Sequence, residues 1–207
     1  GKGILFISSL LSAPQLETTA IDDGIHLDSC TVTSSQAIFD GTVTRLIDMP
    51  GTVFKGSIIN HGDLIIKGTS LDGDGVYLED TEFTGASITV EGRTSLAFHS
   101  GVVLENTLGI PAPSWSYNNA NITGIVSDPT IGTGILLTGS FTDRPTFTGI
   151  THLTGLCDNP SVLGFGIRTL NVKPVFSGEL HVTASGRRNG ILIDNGFLLN
   201  NVVCTAN

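Results

Sequence analysis

Apolar and polar residues alternate along this chain in short bursts, and most bursts open on a glycine. The phrase reads Gly3-Ile4-Leu5-Phe6, Gly24-Ile25-His26-Leu27, Gly75-Val76-Tyr77-Leu78, Gly101-Val102-Val103-Leu104, Gly134-Ile135-Leu136-Leu137, Gly166-Ile167-Arg168-Thr169-Leu170 and Gly190-Ile191-Leu192-Ile193. A weaker copy, Arg45-Leu46-Ile47-Asp48, fills the gap between the second and third. Copies recur every 20 to 33 residues or so, the range of stacked solenoid turns with unequal loops.

A second phrase lies between copies of the first. It reads Phe54-Lys55-Gly56-Ser57-Ile58, Phe83-Thr84-Gly85 leading to Ile88-Thr89-Val90, Ile122-Thr123-Gly124, Phe147-Thr148-Gly149 leading to Leu153, and Phe176-Ser177-Gly178 leading to Leu180-His181-Val182. The order of phrases holds while the distance between them varies. Strands fixed by stacking and loops free to lengthen produce that pattern.

Period-two alternation predicts strands of about three to five residues, two or three per coil, with one face toward a narrow core. No coil buries its apolar side alone. Stacking coils about 4.8 Å apart pairs their backbones in parallel and piles Ile, Val, Leu and Phe into columns. Glycine at the corners is expected to supply positive φ or close backbone approach. The prediction is an all-β, single-stranded parallel β-helix of about eight coils, one domain over residues 1–207, and an internal piece of a longer protein. Ile4 to Ala13 has some signal-peptide character, but its opening fits the repeat.

Two stretches interrupt the coils, about 107–121 and 157–165. The first, TLGIPAPSWSYNNAN, holds Pro111, Pro113, the only Trp and one of two Tyr, and reads as a loop leaving the body. Trp115 and Tyr117, with Asn118 and Asn119, are the candidate ligand-binding residues: aromatic anchors beside amide hydrogen-bonding groups. The alternative is that Trp115 simply covers the solenoid side. In the second, Asp158-Asn159-Pro160 marks a turn.

Composition sharpens this picture. Gly accounts for 26 of 207 residues and charged residues for only 14%, proportions suited to short strands and tight corners. The net charge of −9 disfavours nucleic acid and anionic membrane surfaces. No apolar run reaches the roughly 18 residues of a membrane span, so no membrane insertion by this segment is expected. Three cysteines, Cys30, Cys157 and Cys204, are too few and scattered for a disulfide scaffold or zinc cluster. They read as buried small hydrophobes, with a Cys157 to Cys204 bridge as the alternative.

Candidate chemistry is sparse. Asp72-Gly73-Asp74-Gly75 opens like an EF-hand loop, but residue 83 is Phe where the bidentate Glu belongs. A looser Ca²⁺ site there is the alternative to an acidic turn. Asp22, Asp23, Asp48, Asp72, Asp74 and Asp80 are the carboxylates that adjacent coils could in principle supply for glycoside hydrolysis. His26, His61, His99, His152 and His181 form no close pair in sequence, and His26 and His181 suit outward strand positions. Arg187-Arg188 reads as a solvated turn. No GxSxG elbow or phosphate-cradling loop occurs, and no catalytic residue, metal or cofactor is assigned.

Taken together, GVYLEDTEFTGASITVEG, GILLTGSFTDRPTFTG and GILIDNGFLLNN, preceded by SIINHGDLIIKG, resemble the passenger regions of bacterial type V secreted adhesins, autotransporters and filamentous-haemagglutinin-like two-partner exoproteins. The resemblance implies a right-handed β-helix at the outer membrane surface or released. It implies a cell-adhesion role toward glycans or proteins of another cell or the extracellular matrix, with self-association as an option. Polysaccharide-degrading β-helix enzymes and phage tailspikes share the pattern and are the main alternative; a structural spacer is the third.

Overall fold

The computed structural model describes residues 3–95, 98–107, 116–127, 132–140, 144–157, 164–186, 188–192, 197–198 and 202–206. Their regular structure is all β, and every sheet pairing is parallel with strands in chain order. An eight-stranded sheet runs through Ile4–Ile7, Ile25–Asp28, Thr52–Lys55, Val76–Glu79, Ser100–Glu105, Thr133–Thr138, Phe165–Leu170 and Asn189–Leu192. A nine-stranded sheet has Thr31–Val43, Ile58–Ser70, Glu82–Thr94, Ala120–Val126, Ile150–Cys157, Glu179–Gly186 and Val202–Ala206 as its body. Such repeated visits to the same sheets are the arrangement of a β-solenoid.

The strands of the second sheet are longer than the sequence predicts, reaching 13 residues in Thr31–Val43, Ile58–Ser70 and Glu82–Thr94. Interruption needs a specific residue. In the first pass Pro14, which has no N–H to donate, separates Leu10–Ser12 from Gln15–Asp22. Later, Asn119 at φ 44° and Gly149 at φ 69° turn the backbone and divide each long strand in two. The leading halves, Ser116–Asn118, Thr146–Thr148, Val175–Phe176 and Phe197–Leu198, form a separate four-stranded sheet.

Register sorts the apolar residues into columns. Thr18, Phe39, Ile66, Val90, Ile122, Leu153 and Val182 make one inward row, and Phe6, Leu27, Phe54, Leu78, Leu104 and Leu137 face it from the eight-stranded sheet. Each fully buried Leu, Ile or Phe contributes about 1.5–3 kcal/mol. A third row passes from Val32 and Ile59 into Phe83, Tyr117, Phe147 and Phe176. The Tyr117–Phe147 and Phe147–Phe176 rings stack with centroids 5.0 and 4.9 Å apart.

Glycine has two separate structural settings. Where the nine-stranded sheet meets the eight-stranded one, Ala20, Gly41, Gly68, Gly92, Gly124, Gly155 and Ala184 form a column of small residues. A Cβ on Gly68, Gly92 or Gly124 would lie 1.9, 1.8 or 1.9 Å from the carbonyl oxygen of Gly75, Gly101 or Gly134. Close approach, rather than positive φ, therefore requires these glycines. Left-handed backbone instead marks the corner after the eight-stranded sheet, where Ser8, Ser29, Gly56 and Asp80 follow one another at φ 46°, 54°, 53° and 48°.

Several expectations are corrected. Arg45-Leu46-Ile47-Asp48 is a loop: Arg45 stands where the other copies have a glycine, and Gly51, whose carbonyl oxygen packs against Gly41, supplies it ahead of Thr52–Lys55, which takes the strand position. Phe54 thus belongs to the first phrase. Ile122-Thr123-Gly124 aligns with Val90-Glu91-Gly92, while Tyr117 holds the aromatic position. The interruption at 107–121 is shorter than expected, because Ser116 begins a strand; residues 108–115 lie outside the described residues, as do 158–163 of the second. Cys30 and Cys157 are buried. Cys204 is in register with Val182 and Leu153, four residues along and two strands across from Cys157. That is roughly 16 Å from strand geometry. A disulfide tolerates about 7 Å between Cα atoms, so the bridge is ruled out.

Candidate functional site

The nine-stranded sheet reaches a common edge at Val43, Ser70 and Thr94, which share one register position. Loops from there to the eight-stranded sheet therefore emerge on one flank. Residues 44–51 carry Pro50 and Gly51, and 71–75 carry Gly73 and Gly75, all poor strand formers. The loops hydrogen-bond to one another: Met49 N–H to Asp72 O at 2.9 Å, Gly51 N–H to Asp74 O at 3.0 Å, and Gly75 N–H to Ser100 O at 3.0 Å. Ser70 Oγ donates to Met49 O at 2.7 Å. Gly73, at φ 150°, is required here because a Cβ would come within 2.3 Å of Met49 O.

This stacking assembles residues that are far apart in sequence. His99 Nε2 is 3.7 Å from Asp48 Oδ1 and 3.7 Å from Asp72 Oδ1, and its Nδ1 is 4.0 Å from Asp74 Oδ1. These are electrostatic contacts, too long for hydrogen bonds. Asp48 and Asp72 approach the same nitrogen, so those oxygens are no more than about 7.4 Å apart. Burial pushes the Asp74 carboxyl up to about 6, although the Ser100 N–H at 2.6 Å and the neighbouring His99 oppose the shift. The Asp48 side chain is 82% exposed.

The same loops carry exposed apolar side chains. Phe98 is 79% exposed, Leu46 66%, and Ile47, Leu71 and Met49 each a little under 40%. Phe98 also has a left-handed backbone at φ 68°, which a bulky residue adopts at a cost. Asp22 and Asp23 border the first loop: Thr44 Oγ1 donates to Asp22 Oδ1 at 2.9 Å, and Arg45 pairs with Asp23. Beside Leu71 is a shallow depression of about 240 Å³ lined by Thr42, Val43, Thr44, Thr69, Ser70 and Ser95.

Of the six carboxylates singled out in the sequence, Asp48, Asp72 and Asp74 thus meet around His99. Asp22 and Asp23 join the neighbouring loop, and Asp80 is at the opposite corner, receiving the Thr107 N–H at 2.7 Å. Among the described residues no group of three or more His, Cys, Asp or Glu side chains is arranged to hold a metal ion.

The residues expected to bind ligand are placed differently. Trp115 lies outside the described residues. Tyr117 is a correction: it is 1% exposed, with its ring between Phe83 and Phe147, because its register position is inward. Asn118 and Asn119 are exposed, but their carboxamides tie neighbouring passes together. Asn118 Nδ2 donates to Ala86 O at 3.2 Å, and Asn118 Oδ1 accepts from Thr148 Oγ1 at 3.2 Å. Asn119 bridges Ala86 O at 3.0 Å and Ile150 N–H at 3.1 Å. A recess of about 130 Å³ beside Asn118 is lined by His61, Phe83, Thr84, Gly85, Ile88 and Ser116.

Two other side-chain groups depend on register. His152 and His181, which form no pair in sequence, stack at 4.7 Å on the outer face, with His181 Nε2 2.6 Å from Glu179 Oε1. Arg188 stands over the Phe165 ring at 5.3 Å, and Arg187 lies outside the described residues. The sequence reading missed His99 and Phe98. Their only local signal was an aromatic next to a histidine just ahead of the Ser100-Gly101 strand start. Compared with protein-family models, curated proteins and solved structures, the chain matches none.

Proposed function

We propose that this chain is a right-handed, single-stranded parallel β-helix of about eight coils from a secreted or surface-displayed adhesin, holding a binding flank away from the cell. The observation that carries this reading is the loop flank: three stacked loops expose Leu46, Ile47, Met49, Leu71 and Phe98 beside Asp48. Solitary exposed apolar residues are ordinary, whereas five on one set of interlocked loops mark an interaction surface. The regular sheets behind them supply rigidity, so little loop ordering has to accompany binding. Resemblance of the repeat phrases to bacterial adhesin passengers supports export and a ligand on another cell or in the matrix.

The test is retention of the labelled chain on an array of glycans and extracellular matrix proteins, with Phe98→Ser and Trp115→Ala variants beside it. Retention that falls in the Phe98→Ser variant supports adhesion through the flank. A fall only in the Trp115→Ala variant moves the binding site to the loop before Ser116. No retention at all favours a spacer.

One observation favours a second reading, a polysaccharide-degrading enzyme. The half-buried Asp74 carboxyl, raised to about 6, shares His99 with Asp72 and resembles a general acid beside a carboxylate. Reducing ends released from a polysaccharide panel, and abolished in Asp74→Asn, would establish it. Absence of release from every polymer would remove it.

A further inference from the structure

The loop flank has a composition that selects a class of partner. We infer that residues 44–51, 71–75 and 98–99 dock a cationic polypeptide segment in which Lys or Arg alternates with apolar side chains. This rests on the adhesion reading above and names the partner of the same flank.

Apolar contact and charge point to the same occupant. Phe98 and Leu46 present most of their surface to water, and covering either recovers apolar area that the fold leaves exposed. Phe98 also offers an open ring to a cation. Next to them Asp48 is 82% exposed, so a Lys or Arg can pair with it at small desolvation cost. Asp22 and Asp72 extend the acidic border, while Arg45 and Asp23 pair and offset one another. The chain as a whole carries −9. That field steers basic segments toward the flank and repels polyanions and anionic lipid surfaces. A second copy brings the same negative border to the contact, which disfavours self-association through this face.

The test is fluorescence anisotropy of the 207-residue chain with three labelled twelve-residue peptides, alternating Lys/Leu, Lys/Ser and Glu/Leu, in 50 and 300 mM NaCl. The Lys/Leu peptide is expected to bind tightest and Glu/Leu not at all. Asp48→Asn with Asp72→Asn should weaken Lys/Leu binding at least fivefold in low salt and flatten its salt dependence. Phe98→Ser should weaken it about tenfold, Phe98→Leu should recover most of the loss, and Thr154→Ala on the nine-stranded sheet should leave it unchanged. Circular dichroism verifies that each variant is folded, as expected for substitutions at exposed or half-buried positions.

Equal affinity for Lys/Leu and Glu/Leu, or equal affinity of parent and Phe98→Ser for Lys/Leu, would overturn the inference. So would chain self-association in sedimentation that disappears in Phe98→Ser, because a second copy would then be the occupant. Array retention that is indifferent to Phe98→Ser leaves adhesion standing and removes this partner; no retention on the array or by the peptides removes both.

Discussion

Gly92→Ala adds a single methyl group at the most crowded position of the glycine column. Its Cβ would lie 1.8 Å from Gly101 O, 2.6 Å from Gly101 C and 2.8 Å from Val102 Cγ2. Ordinary contact needs more than 3 Å, so backbone must move by over 1 Å. Neither side can yield easily, because Glu82–Thr94 and Ser100–Glu105 are each paired in register on both flanks. Overpacking costs about 1–3 kcal/mol, sometimes more, and a backbone obstacle places this case at about 3 kcal/mol or above. Gly56→Ala is the control: its nearest atom is Ser29 Oγ at 3.7 Å, leaving only the left-handed φ of 53° to oppose the methyl, about 1 kcal/mol. Thermal unfolding followed by far-UV circular dichroism compares the two. At about 2–4 °C per kcal/mol, Gly92→Ala should melt some 6–12 °C below the parent and Gly56→Ala only a few degrees below. If Gly92→Ala is no worse than Gly56→Ala, the column is not held by close approach and the packing argument fails.

Phe147→Ala should cost about 3–5 kcal/mol, measured in the same unfolding experiment, since it empties a fully buried site between Tyr117 and Phe176. Phe98→Gly should stabilise the chain by about 1 kcal/mol by relieving its left-handed backbone, while weakening Lys/Leu peptide binding about tenfold; a stability loss would refute the strain assignment. Asp74 carries a pH signature. Its folded pKa of about 6 exceeds the ordinary value of 3.8, so folding favours the protonated form. Its contribution is greatest below pH 4 and is lost as pH rises through 6. Asp74→Asn should therefore raise stability at pH 7.5 by up to about 2 kcal/mol relative to its effect at pH 4, a difference read by parallel denaturation at the two pH values. An equal effect at both would show that Asp74 is not held neutral by the fold.

The repeat was legible because solenoid stacking demands the same residue type at the same place in every pass. Gly75, Gly101, Gly134 and Gly166 recur with apolar followers, and each immediately precedes a strand of the eight-stranded sheet or is its second residue. The alignment failed where local pattern misled. Leu46-Ile47 looked strand-like, yet Arg45 stands where the other copies have the glycine that packs against the small-residue column, and Gly51 supplies it instead. Tyr117 looked loop-borne because prolines precede it, yet register places it in line with Phe83 and Phe147.

The sequence by itself determined an all-β chain with parallel stacking, since period-two alternation and recurring glycine are local properties of the strands. It also contained the acidic bias, which is composition alone. Only tertiary structure decided which loops share a flank. Asp48, Asp72, Asp74 and His99 span 52 residues, and they meet because paired strands bring equivalent corners of successive passes about 4.8 Å apart. The same stacking explains why Gly92 must be glycine without positive φ, and why His152 and His181 touch. Loop lengths vary between passes, so sequence spacing could not reveal these neighbours; backbone hydrogen bonding between passes fixed them.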